Sequence, residues 1–282
     1  MARQKSKAEL LKLLLGASEP ERLKMLRELS LDQSKVLRHH WRVWARSNQL
    51  PPDSDWRVWL IMAGRGFGKT RAGAEWIRAI AEADPEARIA VVAASLAEAR
   101  SVMVEGESGL IEVTSPGLTP QFEPSLRRLT WPNGAQATLF SAYEPDSLRG
   151  PQHSHAWCDE VAKWDNASER AQRCWDNLLM GLRLGETPRA LATTTPRAVP
   201  LIKRLIAGGD TVITRGATED NLDNLPARFV ADIRREYGKL LDRRKRNCSS
   251  MNWPRDSTRC CTGRLKPSWQ FPRPAQAMAR PG

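Results

Sequence analysis

The chain lacks the residues that would place it outside a cell or within a membrane. Its 5 cysteines in 282 residues fall at no zinc-ligand spacing and form no even framework. That argues against a zinc module and against a disulfide-stapled secreted domain. No apolar run is long enough to span a bilayer. Met1-Ala2-Arg3-Gln4-Lys5 is basic, but Leu10–Leu15 is too short and too interrupted for a secretory leader. The chain reads as cytoplasmic, with no membrane partner.

Acidic residues are scarce at one end only. Of the net charge of +12, residues 239–282 supply +9, with 11 Lys+Arg against 2 Asp+Glu. The rest holds 33 basic and 30 acidic residues and is only mildly basic. The same 239–282 stretch has no Val or Ile and only 3 Leu, beside 5 Pro, 3 Cys and 2 Trp. A disordered basic tail that touches nucleic acid is one reading. Such tails rarely combine Cys and Trp with so little Glu, Gln and Ser, so an out-of-frame continuation is the preferred one.

What is present is a phosphate-binding loop. Ala63-Gly64-Arg65-Gly66-Phe67-Gly68-Lys69-Thr70 follows an apolar run of strand length, Trp56–Met62, and precedes Arg71–Ile80, rich in helix formers. Strand, glycine loop and helix aim a helix N-terminus at a phosphate. Gly64, Gly66 and Gly68 let backbone N–H groups close on the phosphates, Lys69 reaches the β- and γ-phosphates, and the Thr70 hydroxyl serves Mg²⁺. The usual leading glycine is replaced by Ala63. A dinucleotide fingerprint competes poorly, because Lys69 stands where its third glycine would fall.

Strand and helix patterns then alternate. Strands are expected at Ala87–Ala94, Ala156–Asp159, Arg189–Thr194 and Thr211–Thr214. A hairpin is expected where Leu126–Trp131 and Ala135–Phe140 flank Pro132-Asn133-Gly134. Helices are expected at Leu96–Val104, Ser168–Leu184, Val199–Ile206 and Pro226–Tyr237. Residues 7–46 show leucines at helical spacing, and packing is favoured over a membrane-surface role. The pattern predicts a three-layer α/β domain with a mostly parallel central sheet. Three regions follow: 1–37 helical, 38–238 the P-loop domain, and 239–282 the tail.

Cys158-Asp159-Glu160 ends a strand about ninety residues after the P-loop. At the end of a strand beside the P-loop strand, Asp159 can hold Mg²⁺ and Glu160 can polarise an attacking water. On their own, Asp-Glu pairs are common on solvated faces. His153 and His155, spaced i and i+2, would face one side of that strand, but no further metal ligand accompanies them. Thr193-Thr194-Thr195 closes the next strand, where hydroxyls can sense a γ-phosphate, although read alone a β-branched strand end stopped by Pro196 is the better explanation. Arg149, in the loop Tyr143–Pro151, and Arg65 are the two candidates for an arginine finger. A salt-bridged surface arginine is the alternative for Arg149. Upstream of the first strand, the Gln49 amide can read an adenine edge, and an Arg or aromatic can stack on the base. The tryptophans there are at least as well explained by core packing.

In order and spacing these segments resemble the large terminase subunit of tailed bacteriophages. The residues that carry the resemblance are Trp44–Pro52, Gly64–Gly73, Ser147–Pro151, Cys158–Glu160 and Thr193–Arg197, within a stretch from about Leu37 to Gly238. The resemblance implies a RecA-like ATPase of the additional-strand type, followed in the family by an RNase H-like nuclease with a carboxylate-bound metal pair. It implies ATP and Mg²⁺ bound by Lys69, Thr70 and Asp159, with Glu160 activating water, Thr193–Thr195 as coupling motif and Gln49 on the adenine. It implies double-stranded DNA, a small terminase subunit and a portal protein as partners, with several copies assembled on the portal. After Gly238 only Asp242 and Asp256 are acidic, too few for a two-metal nuclease site. The expectation is the ATPase part of a prophage packaging subunit, shortened by a frameshift before the nuclease. A helicase-like nucleic-acid-dependent ATPase and an inactive remnant are the alternatives.

Overall fold

The structure, a computed structural model, describes residues 7–226, 228–233 and 235. The chain divides into two units, Met1–Leu225 and Pro226–Gly282. In the second, residues 228–233 are helical, as Pro226 at a helix start leads one to expect. The expectations for 239–282 lie outside the described residues.

The first unit opens with four short helices, α1 (Lys7–Gly16), α2 (Glu19–Arg27), α3 (Leu31–Leu37) and α4 (Trp41–Trp44). They share a small core of Leu10, Leu14, Leu37 and Val43. α3 begins in a capping box: the Ser30 hydroxyl accepts from Gln33 N–H, and the Gln33 side chain accepts from Ser30 N–H. Packing accounts for these leucines, as their spacing suggested.

An eight-stranded sheet follows, built from β1 (Val58–Ala63), β2 (Arg88–Ala93), β3 (Gln121–Glu123), β4 (Arg128–Thr130), β5 (Gln136–Ser141), β6 (His155–Cys158), β7 (Arg189–Thr194) and β8 (Thr211–Gly216). Its order is β3-β4-β5-β2-β6-β7-β1-β8. From β5 to β8 every pairing is parallel, while β3 and β4 extend one edge antiparallel. The hairpin read from Pro132-Asn133-Gly134 is the β4–β5 pair, with Gly134 at φ 103°. The helix expected at Leu96–Val104 is a short α-helical turn that continues as π-helix over Ala99–Val104, while the strand β3 carried no clear sequence signal.

Parallel strands buried on both faces read as continuous apolar runs. In β1, Trp59, Ile61 and Ala63 enter one core, and Val58, Leu60 and Met62 the other. The first core is covered by α5 (Lys69–Ala83), α6 (Leu96–Glu98) and α7 (Leu110–Val113), through Ala72, Ile77, Leu96, Leu110 and Val113. The second is covered by α8 (Arg170–Gly181) and α9 (Pro200–Ala207), through Trp175, Leu178, Leu201 and Leu205. Three layers result, as the alternation predicted.

One adjacency differs from the sequence reading. The strand that ends at Asp159 does not neighbour the P-loop strand; β7 lies between β6 and β1. Strand order is a three-dimensional property, and β7 enters the chain later than either neighbour. This inserted strand is the additional strand of the expected fold; at its end the Thr193 hydroxyl bonds Asp159, and Thr195, just beyond it, lies between Lys69 and Glu160.

The two histidines also separate. His155 opens β6 and meets Trp76 of the first core edge-on, with centroids 5.7 Å apart. His153 precedes β6, bridges to Leu182 and meets Phe140 of the second core at 5.3 Å. The period of two fails because the chain between them is not one continuous strand.

Candidate nucleotide site

The P-loop is the turn from β1 into α5. Gly66 (φ 75°) and Gly68 (φ 92°) take left-handed conformations that a side chain would strain. Gly64 is glycine for another reason: a Cβ there would lie 2.6 Å from Thr218 Oγ1. Ala63 is still part of β1, paired with Gly216 in β8 and buried. It needs no glycine geometry, which accounts for the departure at that position.

Lys69 and Thr70 are the first residues of α5, where helical N–H groups lack intrahelical acceptors. The Lys69 ammonium is buried. It donates to the carbonyls of Ala63 and Gly64 at 3.2 and 3.3 Å, and pairs with Glu160 Oε1 at 3.1 Å. α5 can press onto the sheet because Gly73 has no side chain; a Cβ there would meet the Trp157 indole at 2.3 Å. Trp157 lies in β6, two residues before Asp159, so this contact sets the loop helix against the carboxylate strand.

Asp159 and Glu160 follow the end of β6. Burial pushes the Asp159 carboxyl up to about 6, opposed by a hydrogen bond from the Thr193 hydroxyl. Glu160 behaves differently. Burial raises its pKa, but the Lys69 charge and the hydrogen bonds from Thr195 and Lys69 outweigh that and hold it below the ordinary value. Thr195 donates its N–H at 3.0 Å and lies 3.2 Å from both carboxylate oxygens through its hydroxyl. Glu160 itself has φ 46°, costly for a non-glycine residue by about 1–2 kcal/mol. The surroundings enforce it: Glu160 N–H donates to Thr193 Oγ1, and Ala162 N–H to Thr194 Oγ1.

These residues could accept Mg²⁺ with a nucleotide. Among the described residues no group of three His, Cys, Asp or Glu forms a protein-only cage. Mg²⁺ that arrives with phosphates needs only one or two protein groups. A buried carboxylate whose ionisation burial disfavours, such as Asp159, is one that a divalent cation stabilises.

Residues 60–258 match the family described as terminase large subunit, T4likevirus-type, N-terminal. The chain belongs to the terminase large-subunit family. No curated protein matches it. Among solved structures, it is similar to the Thermus phage P74-26 large terminase ATPase domain, at 16% identity and TM-score 0.50, over 65% of this chain and 84% of that one. It is also similar to the large terminase of a second thermophilic bacteriophage, in complex with ADP, at 14% identity and TM-score 0.52, over 72% of this chain. The match spans 49% of that second terminase, about half of its length. At such identities the likeness concerns the fold.

The terminase fold thus brings Gly64, Gly66, Gly68, Lys69, Asp159, Glu160 and Thr193–Thr195 together at the carboxyl ends of the central strands β1, β6 and β7. The arginines stand apart from that network. Arg65 is exposed at the loop tip, and Arg149 is exposed, 3.9 Å from Asp146. Gln49 is buried against the loop: its amide donates to the carbonyls of Phe67 and Gly68. Trp41 and Trp44 pack in the protein, on the first core and on the helical core respectively. The sequence reading passed over Asn221, Thr218, Gly216 and Phe67. Phe67 is fully buried on Gly216, where a Cβ would lie 2.1 Å from its ring. Its only signal was an aromatic inside a glycine loop. No helix among the described residues is long and apolar enough to cross a membrane.

Proposed function

We propose that this chain hydrolyses ATP and drives phage double-stranded DNA packaging. The observation that carries the reading is the closure of Lys69, Glu160 and Thr195 on one another across β1, β7 and β6. A buried lysine beside an ionised, rigidly held carboxylate is the pairing that in-line attack of water on a phosphate needs.

In this reading the loop N–H groups and Lys69 hold the β- and γ-phosphates. Thr70 and Asp159 would hold Mg²⁺, which when bound neutralises phosphate charge. Glu160 orients water and takes its proton. Thr193 and Thr195 fix the carboxylates and transmit the state of the phosphate to β7, the coupling role. Gln49 would lie near the adenine. Arg65 or Arg149 would supply positive charge to the transition state, and the exposure of both fits a finger that acts on a neighbouring copy. Double-stranded DNA, a small terminase subunit and a portal are the proposed partners, with several copies assembled on the portal in the host cytoplasm.

The test is steady-state ATP hydrolysis by the purified chain, with and without double-stranded DNA, beside Glu160→Gln. The expected result is DNA-stimulated turnover that falls about 10²–10⁴-fold in the variant, with ATP binding kept. Equal turnover in Glu160→Gln would remove that residue as base. Unwinding driven by single-stranded DNA would favour a helicase-like motor.

A further inference from the structure

Three successive carbonyls of the phosphate loop are gripped from behind. Asn221 Nδ2 donates to Gly66 O at 2.6 Å. Arg46 Nη2 donates to Phe67 O, and Gln49 Nε2 reaches the same oxygen at 3.3 Å and Gly68 O at 3.4 Å. The grips are joined to one another. Arg46 Nη1 donates to Asn221 Oδ1 at 2.7 Å, Arg46 N–H donates to Gln49 Oε1 at 3.2 Å, and the Arg46 guanidinium lies over the Phe67 ring at 4.9 Å. Arg46 and Asn221 are 175 residues apart in sequence. One precedes β1 and the other follows β8.

The peptide bonds here are all trans. In a planar trans peptide, the C=O of one residue and the N–H of the next point in opposite directions. Holding the carbonyls of Gly66, Phe67 and Gly68 toward these side chains therefore turns the N–H groups of Phe67, Gly68 and Lys69 the other way. Those donors form the phosphate cradle of a P-loop. Gly68 O is also held by the Ala72 N–H of α5 at 3.0 Å, whereas the directions at Gly66 and Phe67, in a glycine-rich loop that is easy to deform, are imposed from outside.

We infer that Arg46 and Asn221, with Gln49, are positioning residues that preset the phosphate-binding N–H groups, so that the segment before β1 and the segment after β8 together tune nucleotide affinity. The inference rests on the ATP reading above. It gives the Gln49 amide a partner in the loop itself. It also makes lysine a poor substitute for Arg46, because a guanidinium fork can serve Asn221 and Phe67 O at once while lying over the Phe67 ring.

The test is titration of a fluorescent ATP analogue into the full chain, its Lys69→Ala control, Asn221→Asp, Arg46→Lys and the double variant, each with its melting temperature without nucleotide. Asn221→Asp keeps the acceptor for Arg46 but replaces the donor to Gly66 by a charged oxygen, so the uncharged Asn221→Ala is titrated beside it and has to weaken binding as well. Each single variant is expected to weaken binding about three- to tenfold. Melting should stay close to wild type, and kcat at saturating ATP should be retained. The double variant is expected to lose less than the product of the two, because the pair shares one network. Wild-type affinity in the single variants, with Lys69→Ala inactive in binding, would overturn this inference and leave the ATP reading standing. Failure of the wild type to bind would overturn both. Lower melting with unchanged affinity would make the network structural and likewise overturn the proposal.

Discussion

The two ends of β6 bury ionisable groups in opposite ways. At its start, burial pulls His153 and His155 down to about 4, and both rings pack edge-on to aromatic neighbours. At its end, burial pushes on Asp159 and Glu160 as well, but Glu160 is met by Lys69 and Thr195 and stays charged. His155 has a neutral partner in the Ser154 hydroxyl at 3.2 Å, but burial without a paired opposite charge neutralises a group; burial with an opposite charge and aimed donors preserves the charge in a dry setting. Only the second arrangement can do phosphate chemistry.

The largest expected break in that contrast comes from Lys69→Ala. It would remove the proposed phosphate contact, and it leaves Glu160 without its counter-charge. Wild type at a nucleotide concentration about 100-fold over Kd should gain about 2.7 kcal/mol of stability. The variant should gain almost none, as read by thermal unfolding with and without ATP. A full gain in Lys69→Ala would mean the nucleotide binds elsewhere.

Gly73→Ala tests the contact that holds the loop helix against the carboxylate strand. The new methyl would overlap the Trp157 ring. Overpacking of this kind costs about 1–3 kcal/mol. Chemical denaturation should show the loss, and activity should fall with it, since α5 and β6 can no longer approach. A variant as stable as wild type would show that α5 has room to shift.

Thr193→Val should cost somewhat less, about 1–2 kcal/mol, by leaving the Asp159 carboxyl without the hydroxyl that bonds it. The substitution keeps the side-chain shape but also removes the acceptor for Glu160 N–H. Unchanged stability and unchanged ATP affinity would place that hydroxyl outside the site's architecture.

The legibility of this site followed the range of its contacts. Gly-Lys-Thr is local, and the loop, its glycines and the flanking strand and helix were all readable from neighbouring residues. Asp159-Glu160 gained meaning only from its distance to the loop. Thr195 read as an ordinary β-branched strand end, yet it lies against Glu160, 35 residues away, and against Lys69, 126 residues away. The segment holding Arg46 and Gln49 stood out in the sequence, but its partner Asn221, 175 residues from Arg46, left no trace, because nothing local demands it. Strand order was hidden for the same reason. The sequence says that β7 exists, and only the sheet says that it separates β6 from β1.

The smallest effect per residue concerns the neutral end of β6, and its sign is fixed by linkage. Burial depresses both imidazoles from 6.5 to about 4 in the folded chain. Between those values the unfolded chain binds more protons than the folded one. Stability is therefore fully present above pH 6.5 and is lost as pH falls toward 4. A fully shifted group loses at most about 1.4 kcal/mol per pH unit, so each histidine should contribute roughly 1 kcal/mol of loss by about pH 5.5. Urea unfolding at about pH 7.5 and about pH 5.5 measures this directly. A His153→Leu, His155→Gln double variant should lose less than wild type between the two conditions, because carboxylate effects are common to both proteins and cancel in the difference. An equal loss in the two proteins would mean that the imidazoles are protonated within the fold, and that the start of β6 has a charge-stabilising environment after all.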